Sequence, residues 1–162
     1  MPPILIRIDD RLIHGQVVEA WIPHLKAERV VVACEAAAND ETQQALMRLA
    51  LPDAVDLQIL PPAAAAAYLG SAACGSARTL VLVPSPREAL ALLDGGLAFQ
   101  TLNVGGLHYS AGRIQLGRVI FLSEEDRQTL RELSKRGVTL EGRAVPSDRK
   151  TDIAALLGGV AA

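Results

Sequence analysis

Within eight positions, Arg7-Ile8-Asp9-Asp10-Arg11-Leu12-Ile13-His14 brings together one histidine, two arginines and two aspartates, and Gly15-Gln16-Val17 follows directly. Those residue types suit the capture of a phosphoryl group. A neutral imidazole is a nucleophile toward phosphorus, and a free histidine side chain titrates near pH 6.5. Arg11, three residues before His14, offers a planar, permanently charged fork matched to phosphate oxygens. Gly15 leaves space where such oxygens would approach the backbone. The segment also lies where a strand pattern gives way to a helix pattern, so unpaired N–H groups and the positive end of the helix dipole favour an anion there. A carboxylate could fix the His14 tautomer by accepting a proton from one ring nitrogen. Asp9 and Asp10 both qualify, and the sequence does not choose between them. Arg7 pairs naturally with either aspartate as an ion pair covering the end of a sheet.

A lone histidine is more often a helix cap or a satisfied interior group than a nucleophile. The flanking arginines, aspartates and glycine tip the balance for His14. His24 lies ten residues further on, about 280° around an ideal helix, and does not share its face. His108 sits in the glycine-rich run Gly105-Gly106-Leu107-His108-Tyr109, at an expected site edge. Three scattered histidines and two cysteines without CxxC spacing make no zinc constellation. No phosphate-cradling GxxxxGK[ST], no GxGxxG and no GxSxG elbow occurs, so neither a cofactor nor a metal is expected.

Composition narrows the classes further. The 162 residues are half hydrophobic but only 3% aromatic, with a formal net charge of -2. A core of Leu, Val, Ile and Ala follows, large enough to need no metal or disulfide. No basic block is present, which argues against nucleic acid as a partner. Cys34 and Cys74 read as buried free thiols suited to a reducing compartment. The uncharged stretch from Leu57 to Ala77 is mostly alanine and is broken by Pro61, Pro62, Gly70 and Gly75, so it is not expected to span a membrane. The N-terminus lacks the pattern of a signal peptide. A soluble protein is expected.

Elements that could position the site alternate along the chain. Strand patterns cover Ile4 to Ile8, Arg29 to Ala33, Leu57 to Leu60, Thr79 to Val83 and Thr101 to Val104. Others cover Arg113 to Leu116, Val119 to Leu122 and Val138 to Val145. Several are unbroken apolar runs, as strands covered on both faces require. Helices between them begin at recognisable caps. Asn39 precedes an acidic first turn, Ser85-Pro86-Arg87-Glu88 reads as a capping box with proline at the first helical position, and Ser123 opens a helix that stops at Gly137. The first helix, from about His14 to Leu25, carries Val17, Val18, Trp21, Ile22 and Leu25 as a buried stripe, with Pro23 expected to kink or shorten it. The pattern predicts one domain over 1–162, an α/β fold with a single doubly wound, mainly parallel sheet and helices on both faces. Ligands in such folds sit beyond the carboxyl ends of the strands. That edge holds Asp9 to Gly15, Ala33 to Asn39, Pro84 to Pro86 and Asn103 to Tyr109. In the first strand Ile4, Ile6 and Ile8 should face one side, and Leu5, Arg7 and Asp9 the other.

The run R-I-D-D-R-L-I-H-G-Q-V closely resembles the start of the enzyme IIB components of the mannose/fructose/sorbose family of the bacterial sugar phosphotransferase system. Trp21, Asn39-Asp40-Glu41 and Leu102-Asn103-Val104-Gly105-Gly106 extend the resemblance over nearly the whole length. It implies a phosphotransferase of the same α/β fold. By that resemblance His14 is phosphorylated, at Nδ1, by the phosphohistidine of a IIA partner. The group then passes to a sugar held by membrane-embedded IIC and IID subunits, which would keep the protein cytoplasmic and associated with the membrane only through its partners. Arg11 and Gly15 would bind the phosphate, with Arg7, Asp9, Asp10, Ser85, Gly105 and Gly106 in support. Docking is expected around His14, through Trp21 or the exposed side of the first helix. Two alternatives stand beside this reading: a regulatory or phosphate-sensing module that keeps the fold without phosphorylating sugar, and a small phosphatase with a covalent histidine.

Overall fold

The computed structural model describes residues 3–108, 113–117 and 120–160. Tyr109, which closes one of the expected segments, and Val119, which opens another, lie outside them. Nine strands are described. β1 (Leu5–Asp9), β2 (Arg29–Ala33), β3 (Asp56–Leu60), β4 (Thr79–Val83), β5 (Thr101–Gly106) and β8 (Thr139–Gly142) are all parallel. A short β9 (Thr151–Asp152) adds antiparallel to β8, and the sheet order is β3-β2-β4-β1-β5-β8-β9. β6 (Ile114–Gly117) and β7 (Ile120–Leu122) form a separate antiparallel pair.

β1 therefore lies in the middle of the sheet, with β4 on one side and β5 on the other. After β1 the chain winds outward to β2 and β3, returns through β4, and only then crosses to β5 and β8. This reversal of direction at the centre creates a crevice at the carboxyl ends of the strands, where the loop after β1 emerges.

Alternation along β1 distributes its side chains as the period of two requires. Ile6 and Ile8 enter a cluster with Val81, Val83, Leu102 and Val104 and with the apolar faces of α4 (Pro62–Leu69), α5 (Pro86–Asp94), α6 (Glu124–Lys135) and α7 (Ile153–Val160). Leu5 joins the opposite cluster, with Val30, Val32, Leu80 and Leu82, under the first helix, α1 (π-helical Val17–Trp21, then Ile22–Leu25), and α3 (Glu41–Ala50). Ile4, just before the strand, packs on that second cluster too. Arg7 and Asp9 share its side of the sheet and are fully buried.

α1 is continuous past Pro23. Gly15 and Gln16 lead into a π-helical stretch, Val17–Trp21, and an α-helical turn, Ile22–Leu25. Ile22 N–H reaches back to the Val17 carbonyl, so the ladder has already widened before the residue that cannot donate. Lys26, left-handed at φ 52°, ends the helix. Trp21 and Val17 are buried beneath it.

Three local expectations change. Asp40, not Asn39, caps α3: its carboxylate takes the Gln43 N–H at 3.0 Å. Asn39 instead closes a one-turn helix, α2 (Glu35–Ala38), with its amide on the Glu35 carbonyl. Ser85 occupies the N-cap of α5 without closing a capping box, because its hydroxyl bonds the Glu88 carboxylate rather than a backbone N–H. The box does form at α6, between Ser123 and Asp126. The last predicted long strand stops at Gly142 rather than Val145, since the carbonyls of Arg143 and Ala144 turn inward to receive Arg7.

Candidate functional site

Beyond β1 the chain makes a tight turn. Leu12 N–H bonds the Asp9 carbonyl at 3.0 Å, and Leu12 itself is left-handed, with φ 57°. A branched side chain seldom adopts that conformation, which costs on the order of 1–3 kcal/mol. Burial of Leu12 in the lower cluster, 3% exposed, offsets the strain and fixes the turn. His14 follows, and its carbonyl accepts the Val18 N–H at 3.0 Å, so it stands at the mouth of α1.

The aspartate that orients His14 is Asp9. Its Oδ2 lies 2.8 Å from His14 Nε2. The same oxygen accepts from Arg7 Nη2 at 3.1 Å, while Oδ1 takes the Arg11 backbone N–H at 3.1 Å. Asp9 is fully buried, and burial by itself would raise its pKa. The hydrogen bond from His14 and the Arg7 charge outweigh it, holding the carboxyl below the ordinary aspartate range. An ionised Asp9 accepts only, so the His14 proton sits on Nε2. Nδ1 is then left with its lone pair and makes no hydrogen bond among the described residues. The imidazole is mostly covered, with 14% of the side chain exposed.

Arg11 is 45% exposed, with Nε 3.8 Å from Asp9 Oδ1 and Nη2 bonded to Gln16 Oε1 at 3.2 Å. Its fork is therefore held near the Asp9 carboxylate that binds His14, yet open to an incoming anion. Gly15 is exposed, and a Cβ there would meet no atom within 4 Å. The space over the start of the helix is clear.

Arg7 is a buried support, not a surface ion pair. Besides Asp9, its guanidinium donates to Asn103 Oδ1 and to the carbonyls of Arg143 and Ala144 at 2.8 and 2.9 Å. Arg7 on β1, Asn103 on β5 and Glu141 on β8 stand in register across three adjacent strands. Asn103 passes the chain of contacts to Glu141, which also binds Arg143 at 2.9 Å. Burial draws the Arg7 guanidinium below its ordinary value, opposed by Asp9. A desolvated charge of this kind is tolerated only because its partners are fixed.

The glycine pair makes room for this arrangement. The β1–β5 register shifts between Ile8 and Asp9, which pair with Val104 and Gly106 and leave Gly105 as the extra residue. A Cβ on Gly105 would fall 2.0 Å from Arg7 Cζ, and one on Gly106 would crowd the Asp9 carboxylate at 3.2 Å. Both glycines thus accommodate protein side chains beneath the site.

Trp21 belongs to the same support. It is fully buried, donates from Nε1 to the Ala144 carbonyl at 2.9 Å, and has the guanidiniums of Arg7 and Arg143 at 4.9 and 5.2 Å from its ring centroid. It stands in the buried stripe expected of the first helix, and with no face of the ring reaching solvent it does not serve in docking. Asp10 turns away from His14 and binds His108 instead. Ser85 stands at the same edge of the sheet, but its hydroxyl is engaged by Glu88.

Sequence reasoning missed Asn103, Glu141, Arg143 and the Ala144 carbonyl. Asn103 carried a faint signal, as a polar residue inside an apolar strand. The other three depend on β8 lying next to β5, which the sequence does not state.

Comparison with known proteins identifies the family. A model of the family described as "PTS system sorbose subfamily IIB component" matches residues 4–161. The chain belongs to that family. It is 31% identical over 156 residues to the sorbose-specific EIIB component of Lacticaseibacillus casei, covering 96% of this chain and 95% of the relative. The IIBSor domain of the sorbose permease of Klebsiella pneumoniae superposes with a TM-score of 0.92 at 33% identity, over 98% of both chains. The mannose-specific EIIAB component of Escherichia coli K12 is 29% identical over 156 residues, and this chain spans 48% of it. IIB components are phosphotransferases that receive phosphate from IIA and pass it on to sugar, working with membrane IIC and IID subunits. Membership leaves the regulatory-module and phosphatase alternatives without support.

Proposed function

We propose that this IIB component carries its phosphoryl group on Nδ1 of His14. The observation that carries the assignment is the 2.8 Å contact between Asp9 and His14 Nε2. It commits one ring nitrogen to a buried carboxylate and leaves the other as the nucleophile. Arg11 and the unpaired N–H groups at the start of α1 neutralise the incoming charge. In-line transfer between nitrogens needs alignment and charge neutralisation more than covalent machinery. Arg7, Asn103 and Trp21 hold Asp9 in place from below.

The donor on this reading is the phosphohistidine of a IIA protein, and the mannose-specific relative, whose name joins IIA and IIB, supports that pairing. The acceptor is a sugar presented by IIC and IID. No described helix is long and apolar enough to cross a membrane, so contact with the membrane would run through those subunits at its cytoplasmic face. The whole chain acts as one domain. Docking falls to the exposed rim around His14 formed by Arg11, Gly15 and Gln16's neighbours on α1, not to Trp21.

Labelling tests the assignment. Wild-type protein incubated with a phosphorylated IIA protein should gain one acid-labile phosphate, and His14→Ala should gain none while keeping its Trp21 emission. Label persisting in the folded variant would overturn it.

A further inference from the structure

Two carboxylates leave β1 side by side, and each holds a histidine. Asp9 takes His14, and Asp10 Oδ1 takes His108 Nδ1 at 2.6 Å. Asp10 Oδ2 also accepts the His108 backbone N–H at 2.7 Å, so residue 108 is anchored twice. Arg113 closes the cluster, with Nη1 2.7 Å from the His108 carbonyl and 3.4 Å from Asp10 Oδ2.

This second pair shares its ground with the first. A Cβ on Gly106 would lie 3.2 Å from both Asp9 Oδ1 and His108 Cε1, so those two atoms are at most 6.4 Å apart, twice that distance. The His108 side chain is 42% exposed although its Nδ1 is committed to Asp10. Its Nε2 makes no hydrogen bond among the described residues. An imidazole fixed at one nitrogen, open at the other and sharing the Gly106 backbone with the carboxylate that orients His14 is a candidate to meet whatever His14 carries.

We propose that His108 is a second contact for the phosphoryl group on His14, donating its Nε2–H to a phosphoryl oxygen. The inference rests on His14 being the phosphoryl seat. Because Asp10 accepts the Nδ1 proton, His108 donates from Nε2 only after taking a second proton from water. Arg113 is itself held from behind by Asp126 of α6 at 3.8 Å. In the transfer step the His14 Nδ1 lone pair forms the new P–N bond as the donor's P–N bond breaks, its electron pair returning to the donor nitrogen. His108 keeps its proton and contributes a charge-assisted hydrogen bond.

Three substitutions separate this role from a structural one. In His108→Asn the amide nitrogen sits near the place of Nδ1 and preserves the tie to Asp10. In His108→Gln it reaches the place of Nε2 and preserves the donor to phosphate. His108→Ala removes both. With phosphorylated IIA as donor, Ala and Asn should slow labelling of His14 and shorten the life of the phosphorylated protein by about tenfold to a hundredfold, the range for a hydrogen bond to a charged group, and Gln should recover most of the loss. Equal rescue by Asn and Gln, or no effect of Ala, would overturn the inference. The ³¹P spectrum of the phosphorylated protein at one fixed pH provides a readout independent of rates. The phosphoryl resonance should move in His108→Ala and His108→Asn and stay near the wild-type position in His108→Gln, and identical spectra for all four proteins would contradict the proposal. Failure of the wild type to label at His14 would instead bring down the phosphoryl-seat reading itself.

Discussion

Asp9 Oδ2 receives both His14 Nε2, at 2.8 Å, and Arg7 Nη2, at 3.1 Å. One buried oxygen thus couples the imidazole at the surface to a guanidinium in the interior. Asparagine cannot replace it, because its amide must turn a donor toward His14 and Arg7 or toward the Arg11 N–H on the other oxygen. Asp9→Asn should cost about 3–5 kcal/mol, the range for breaking a buried ion pair, and should slow phosphoryl transfer as well. Urea unfolding together with transfer rates would check both effects.

Acid should reveal the same pair. The folded-state pKa of Asp9 lies below its ordinary value of 3.8. The stability it contributes is therefore complete above that value and is lost as the pH falls through the lower folded one. Acid unfolding of the wild type, followed by Trp21 emission, should retain this contribution until the pH drops below about 3.8. Asp9→Asn should lack this component of the transition.

Gly105→Ala tests whether the glycine pair serves Arg7. The added methyl would lie 2.0 Å from Arg7 Cζ, and Arg7 is enclosed on all sides. A loss of about 1–3 kcal/mol or more is expected from overpacking alone. Phosphoryl transfer should fall with it, as Arg7 is pushed off Asp9. Gly15→Ala, with no atom within 4 Å of the new Cβ, should leave stability nearly unchanged.

Arg11 should matter to rate more than to folding. It is half exposed and its closest side-chain bond is to Gln16. Arg11→Ala should change the unfolding free energy by under about 1 kcal/mol, as exposed pairs do. Removing a charge-assisted contact to the phosphoryl group should slow transfer by about tenfold to a hundredfold. Stopped-flow transfer from phosphorylated IIA would show the split.

The chain has one tryptophan, and it reports on the site. Trp21 lies against Arg7, which holds Asp9, which holds His14. Phosphorylating His14 should therefore shift Trp21 emission, and His14→Ala should abolish the shift.

Much of this arrangement was legible in the chain. Apolar runs such as Arg29–Ala33 and Thr79–Val83 became strands with those bounds, because a sheet covered on both faces leaves little room for ambiguity. The clustering of His14, Arg11 and Asp9 was local and so survived in the fold. The choice of Asp9 over Asp10 was not legible, since it depends on the Leu12 turn and on the register shift at Gly105. Nor was the burial of Arg7, whose acceptors at Arg143 and Ala144 lie more than 130 residues away. Trp21 was legible as part of the buried stripe of the first helix, but its bond to the distant Ala144 carbonyl was not.

The most direct measurement is the site of phosphorylation on the ring. Nitrogen-resolved NMR of the phosphorylated protein distinguishes an Nδ1 from an Nε2 phosphohistidine. With Asp9 occupying Nε2, the label should be on Nδ1 of His14 alone. Phosphate on Nε2 of His14, or on any other residue, would contradict the account.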